Sequence, residues 1–247
     1  MLKVSSLIIY FLLFVSFGCS TTEPVGDTEA EVLYNDIKSN YKGKRYLLAL
    51  EKISSFRSKY PYSFYITEVE LLRADIFYEQ GNYLEAVDAY MSFKDFHPNH
   101  GDLDFIEWKL SESFFNQLPD TVDRDISPAV LAINSYQSLI KKFPNSKYID
   151  GSKKRIKTLE KMLEDKELYI ADFYFRTKDY QSASYRYKKI IRTTRDEPTI
   201  RKSLVNLFIA HSHLQNKENC LSDLSMFREY IQASGIEISE GKCEYNK

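Results

Sequence analysis

Histidines, cysteines and one acidic triplet are the side chains of this 247-residue chain whose spacing could do chemistry. A metal site needs three or more ligands converging on one point. His211-x-His213 supplies two imidazoles, but residues two apart on a helix point to different faces, and both are read as surface histidines. His97 and His100 flank Pro98 in a turn and bring no third ligand. Asp123-Arg124-Asp125 offers carboxylates for acid–base work, yet such a triplet in a loop is more simply a local ion pair. No Gly-rich phosphate loop, G-x-S-x-G elbow or C-x-x-C pair is present. These residues predict no catalytic group, no metal site and no cofactor, and the chain is not expected to be an enzyme.

The three cysteines fall into two settings. Lys3, the apolar run Leu7–Phe17 and Gly18-Cys19-Ser20 describe an export signal over residues 1–18, too short to span a membrane. Cysteine at the cut site is the lipidation signature: Cys19 would be acylated and become the first residue of the mature chain, with 19–28 as a polar tether. Ser16 and Phe17 depart from the usual residues there, and an ordinary signal peptide ending near a cysteine is the alternative. Ser20 after the cysteine favours passage to an outer membrane. Cys220 and Cys243 stand 23 residues apart. In an oxidising compartment they could form a disulfide, while Cys220 alone would also serve as a small buried thiol.

The elements that must carry these residues announce themselves as repeats. Tyr46-x-x-Ala49, Tyr83-x-x-Ala86, Ala129-x-x-Ala132 and Tyr180-x-x-Ala183 are versions of one phrase, and Pro61, Pro98 and Pro144 each follow the closing alanine of the first three by 12 residues. A fixed internal ruler of this kind means stacked helix pairs, and it fits the tetratricopeptide pattern. Small residues such as Ala74 and Ala86 let two helix axes approach. Gly81 can end a helix with positive φ, and Pro98 pushes His97 out of the α region. The alanine spacings of 37, 46 and 51 residues place an enlarged loop at Leu118–Pro128 and a long helix after Ser146, its plausible N-cap. The polar stretch Glu160–Glu167 leaves open whether 147–178 is one helix or two meeting at a kink.

The predicted fold is all-α, a tetratricopeptide superhelix of about five helix pairs without an inner boundary. Its ten helices are 29–41, 46–59, 63–80, 83–96, 102–117, 128–142, 147–178, 180–193, 197–216 and 218–233. The pairs form repeats near 29–61, 63–98, 102–144, 147–195 and 197–233, with 234–247 as a tail. Eight Gly and seven Pro leave little room for a turn-rich β fold, and 19 Tyr with 16 Phe suit gaps opposite alanines. A net charge of −1 argues against nucleic-acid binding. The charge is nevertheless divided: Ser20–Asp120 holds 10 Lys/Arg against 18 Asp/Glu, and Lys147–Lys202 holds 16 against 9. Solvated helix faces explain part of this; two docking surfaces of opposite sign would explain the rest.

Lys59-Tyr60-Pro61-x-x-x-Tyr65, His97-Pro98-Asn99-His100, Asp104-Phe105-x-x-Trp108, Asp123-Arg124-Asp125, Phe143-Pro144-Asn145-Ser146-x-Tyr148, Glu167-Leu168-x-x-Ala171-x-Phe173-Tyr174 and Tyr180-x-x-Ala183-x-x-Arg186, with Cys19, together resemble the BamD (YfiO/ComL) family. The likeness runs from Cys19 to about Ile231; Gly101, Trp108 and Lys178 depart from the family's usual residues. The resemblance implies a non-enzymatic lipoprotein scaffold on the periplasmic side of the outer membrane, within the β-barrel assembly machinery. It implies as partners the periplasmic domains of a BamA-type barrel insertase, unfolded outer-membrane proteins and accessory assembly lipoproteins. By position, insertase contact falls on Arg186 with Tyr185 and Lys189, and recognition of the substrates' targeting strand on Tyr62 and Tyr65. On packing grounds alone, Tyr65 is instead a helix-pair packer, and Arg186 a solvent-facing arginine. A tetratricopeptide lipoprotein serving another envelope machine, such as a pilotin or a cell-division coordinator, shares the anchor and repeats.

Overall fold

The structure, a computed structural model, describes residues 28–235 and Cys243; Cys19, the signal segment and nearly all of the tether and tail lie outside the described residues. Eleven helices and no strand occur among the described residues. They are α1 Glu29–Lys42, α2 Tyr46–Lys59, α3 Ile66–Glu79, α4 Tyr83–Phe96, α5 Leu103–Phe115, α6 Pro128–Lys142, α7 Ile149–Arg176, α8 Tyr180–Thr193, α9 Glu197–Leu214, α10 Lys217–Met226 and α11 Arg228–Ser234. The chain forms two compact units, residues 1–73 and 74–247, where the repeat pattern by itself implies one uninterrupted stack.

In the first unit α1 packs on α2 around Tyr34, Ile37, Ala49, Ile53 and Phe56, all buried. In the second, α4 packs on α5, α5 on α6, α6 on α7, α7 on α8 and α8 on α9, and α9 receives both α10 and α11. Ala86, Ala132 and Ala183 are fully buried, as close helix crossings require.

The helix stops follow directly from the prolines. Tyr60, His97 and Phe143 precede Pro61, Pro98 and Pro144, and their φ/ψ values are −129/50°, −127/59° and −126/66°. The proline ring excludes the preceding residue from the α region, so three helices end in the same geometry. The turns between paired helices also repeat. Lys44, Gly81, Lys178 and Gln215, each two residues before the next helix, have φ of 55°, 76°, 66° and 53°. Only Gly81 is a residue that adopts this left-handed conformation without strain. An aromatic pair spans three of these turns: Tyr41 on Tyr46, Tyr78 on Tyr83 and Phe175 on Tyr180, with centroids 6.2, 5.6 and 5.6 Å apart.

A tyrosine–carboxylate hydrogen bond recurs inside three helix pairs. Tyr90, Tyr136 and Tyr187 each lie four residues after their repeat's alanine and are fully buried. Tyr90 Oη donates to Asp75 Oδ1 at 2.5 Å, Tyr187 Oη to Asp172 Oδ1 at 2.7 Å, and Tyr136 to Glu112. Burial and the carboxylate acceptor push the Tyr136 and Tyr187 phenols far above their ordinary range. Glu112 is also gripped by Arg155 through Nε at 3.0 Å and Nη2 at 2.9 Å, and that guanidinium lies 3.9 Å over the Phe115 ring.

Four sequence expectations are corrected. Within 147–178 runs one continuous helix of 28 residues, Ile149–Arg176, resolving the open alternative, but Ser146 is not its N-cap. Its hydroxyl donates to Asp104 Oδ2 at 2.7 Å and accepts from the Tyr148 amide at 3.2 Å, so Tyr148 takes the cap position. The expected 218–233 helix breaks at Phe227, whose ring is buried beneath the Arg192 guanidinium. His211 is not a surface residue: it is 2% exposed, with Nε2 2.7 Å from Asp223 Oδ2. Lys188 Nζ approaches the same oxygen at 3.1 Å. Burial raises the Asp223 carboxyl, but His211 and Lys188 outweigh it and hold the group below its ordinary value. His213 turns to the other face and stacks on Tyr180 at 4.2 Å. The last correction is the Asp123–Asp125 loop, described with the surface it borders. A disulfide joins Cys220 and Cys243, both buried, with Cα atoms 5.6 Å apart.

Candidate partner-binding surfaces

The turn after α2 presents the first surface. Pro61 stops the helix, and the chain leaves as Tyr62-Ser63-Phe64-Tyr65 before α3 begins. Tyr62 is 98% exposed and Phe64 90%, so neither ring contributes to the core of its unit. Tyr65 behaves differently: its ring stacks on Tyr34 at 4.6 Å with an interplanar angle of 17°. The same arrangement recurs in the other unit, where Tyr148, four residues after Pro144, stacks on Trp108 at 4.7 Å and 12°. Tyr65 therefore occupies a repeated packing position. Tyr34, in turn, donates to Glu68, and Tyr60 Oη donates to Glu29 Oε2 at 2.7 Å. Phe64, which sequence reasoning passed over, is the second exposed ring here; its signal was its place beside Tyr62 in the loop between two helices.

The second surface lies on α7 and α8. Glu167 on α7 accepts from Arg186 Nη1 at 3.2 Å through Oε2 and from Lys189 Nζ at 2.8 Å through Oε1. Burial opposes its ionisation, but the two cations outweigh that and lower its carboxyl from the ordinary 4.5. The trio carries a net positive charge. Arg186 uses one of its five N–H donors on Glu167, so the rest of its planar fork is not committed to that carboxylate. Tyr185 beside it is 68% exposed.

The loop before α6 borders this face. Its acidic residues form no salt bridge with Arg124 among the described residues, which corrects the ion-pair expectation. Asp125 instead accepts from the Ser127 amide and hydroxyl, both at 2.9 Å, and Asp123 is bonded to the Thr121 hydroxyl; these bonds lower both carboxyls, with the Lys166 charge adding to the effect on both and the Arg124 charge on Asp123. Lys166 of α7 holds the loop from beneath. Its ammonium donates to the carbonyls of Val122 at 2.7 Å, Arg124 at 2.8 Å and Asp123 at 3.4 Å. Between loop and helix is a cleft of 470 Å³, with Ile126, Val130 and Leu163 in its lining together with the charged Asp123, Arg124 and Asp125 of the loop.

No group of three or more His, Cys, Asp or Glu able to hold a metal ion occurs among the described residues. His97 and His100 pack on the Phe93 ring at 4.6 and 5.1 Å. No helix among the described residues is long and apolar enough to cross a membrane.

A family model described as outer membrane lipoprotein (YfiO) matches residues 26–223. The chain is 27% identical over 198 residues to the outer membrane protein assembly factor BamD of Vibrio cholerae, an overlap of 76% of this chain and 82% of that protein. It is 26% identical over 201 residues to the protein of the same name from Neisseria gonorrhoeae, covering 78% and 75% of the two. With the Rickettsia prowazekii protein of that name it shares 28% identity over 176 residues, 70% of each. Helices α1–α9, the proline-ended turns and the α7–α8 ion pair fall within the matched residues, and the chain belongs to the YfiO family of outer membrane lipoproteins.

Proposed function

We propose that this chain is a non-enzymatic scaffold of outer-membrane protein assembly, docking to the periplasmic domains of a barrel insertase and helping it receive unfolded outer-membrane proteins. The observation that carries this reading is the family match across residues 26–223, together with relatives named as assembly factors. Stacked helix pairs suit such work because they present extended surfaces to other proteins.

Acylated Cys19 anchors the chain to the outer membrane facing the periplasm, where accessory assembly lipoproteins join it. No nucleic acid is involved. Arg186, with Tyr185 and Lys189, forms the insertase contact. An arginine already pinned by Glu167 loses less side-chain entropy on meeting a partner carboxylate, and a planar fork grips that group better than a lysine would. Tyr62 and its neighbour Phe64 meet the targeting strand of substrates, and Tyr65 braces the turn from which they project.

The test is purification of the tagged chain from detergent-extracted envelopes at physiological salt. The insertase is expected among the stoichiometric partners. Recovery of a secretin or a division complex without the insertase would overturn the proposal.

A further inference from the structure

We propose that the Cys220–Cys243 disulfide is a redox-dependent lock on the end of the second unit: oxidised, it makes α10, α11 and Cys243 one body docked on α9, and reduced, it lets α10 and α11 open. Three observations carry this.

The first is how little else seats these helices. At 10 and 7 residues they are shorter than every other helix among the described residues, and helices of such length do not persist on propensity alone. The buried residues of α10 are Cys220 and Asp223, whereas Leu221 and Leu224 are only partly buried. Its hold on the chain therefore runs through a sulfur and an acid rather than through a buried aliphatic anchor.

The second is that the acid is a weak substitute for such an anchor. One oxygen of Asp223 serves both His211 of α9, at 2.7 Å, and Lys188 of α8, at 3.1 Å. The other ring nitrogen of His211, Nδ1, is buried without a hydrogen-bond partner among the described residues. Desolvation of these groups offsets much of what their attraction gains.

The third is the place of the bond. Cys220 stands 37 residues after Ala183, and both are fully buried in one cluster with Phe227, Ile231 and Cys243. The bond does not reach α9; it spans a sequence separation of 23 residues, and α11 lies inside the loop it closes. Cys220, Phe227, Ile231 and Cys243 thus enter the cluster together, and the opened state loses the freedom that separate segments would have.

Closing the lock takes two protons and two electrons from the thiols. A protein disulfide oxidant accepts them, its own S–S bond becoming two thiols. Such oxidants act outside the reducing cytosol, so the lock closes after export, a timing that rests on the location proposed above.

The experiment is amide hydrogen exchange on the full chain without its acyl group, in three preparations. These are the oxidised chain, the chain made in a reducing cytosol with two free thiols confirmed by labelling, and Cys243→Ala, which leaves Cys220 in place. Amides of α10 and α11 should exchange about 30-fold or more faster in both preparations that lack the bond, while those of α4–α6 keep their oxidised rates. Unchanged protection of α10 and α11 in the reduced chain would overturn the lock. Acceleration in Cys243→Ala alone would also overturn it, because the lost side chain and not the bond would then be responsible. Equal acceleration in α4–α6 would do the same, making the bond a brace of the whole unit. Exchange in purified protein reads the lock in any compartment, so an error in the proposed location is not mistaken for a failure of the lock.

Discussion

The aromatic turn of the first unit and the α7–α8 face of the second are both exposed, yet they are prepared in opposite ways. Tyr62 and Phe64 are almost wholly exposed, and what fixes their position is the rigid backing of Tyr65 on Tyr34. Arg186 and Lys189 are held in place by a carboxylate of their own chain. An apolar ring can wait in water without an intramolecular partner, at a cost in hydrophobic free energy only. A cation on a long flexible stem gains from being pinned first. The first surface suits variable apolar segments, and the second suits one partner of fixed charge.

This contrast is most easily broken by reversing a charge. Arg186→Glu should weaken insertase binding by about 2–5 kcal/mol at physiological salt while lowering stability by less than about 1 kcal/mol. Titration of the periplasmic domains by calorimetry, paired with a thermal melt, checks both numbers. Tyr62→Ala in the same assay should leave insertase affinity unaltered; a comparable loss there would erase the division between the surfaces.

A smaller effect separates support from display within the turn. Tyr65→Ala should destabilise the chain by about 2 kcal/mol, since it removes a stacked ring and opens space beneath Tyr34. Tyr62→Ala and Phe64→Ala should each stay within about 0.5 kcal/mol. Denaturant midpoints decide this, and equal losses at all three positions would mean that the exposed rings pack in solution.

The smallest effect concerns pH. Because the Glu167 carboxyl is lowered in the folded chain, its contribution to stability is complete above the ordinary value of 4.5 and is lost as pH falls through its folded value. Glu167→Gln should therefore lower stability by a small constant amount near neutrality and flatten the acid limb, the two curves converging as pH falls below the folded value. A variant that changed the curve only above about pH 6 would contradict this assignment.

Much of the fold was legible because prolines, glycine and alanines act locally. Pro61, Pro98 and Pro144 end helices through their own rings, and α2, α4 and α8 match their expected bounds throughout. What escaped notice depends on register between helices. Ala74-Asp75, Ser111-Glu112 and Ala171-Asp172 each place an acid after a small residue, and Tyr90, Tyr136 and Tyr187 each follow an alanine by four. Both patterns stand in the sequence, but their pairing exists only once the two helices meet. His211 was misread for the same reason: its acceptor, Asp223, lies across a turn on α10. Lys44, Lys178 and Gln215 take left-handed geometry that their residue types do not advertise. In the candidate site, the cationic segment was visible from composition, whereas the cis pairing of Arg186 with Glu167 and the Lys166 loop clamp were not.

The most direct test of docking through the α7–α8 face exchanges the ion pair in place, with Arg186→Glu and Glu167→Arg made together. The swap restores an internal salt bridge while moving the cation from α8 to α7. Stability should return to within about 0.5 kcal/mol of the unaltered chain. Affinity for the insertase's periplasmic domains should remain reduced by about tenfold or more, since the partner's carboxylate no longer meets an arginine on α8. Recovery of affinity along with stability would show that the pair serves only the fold, and would contradict docking through Arg186.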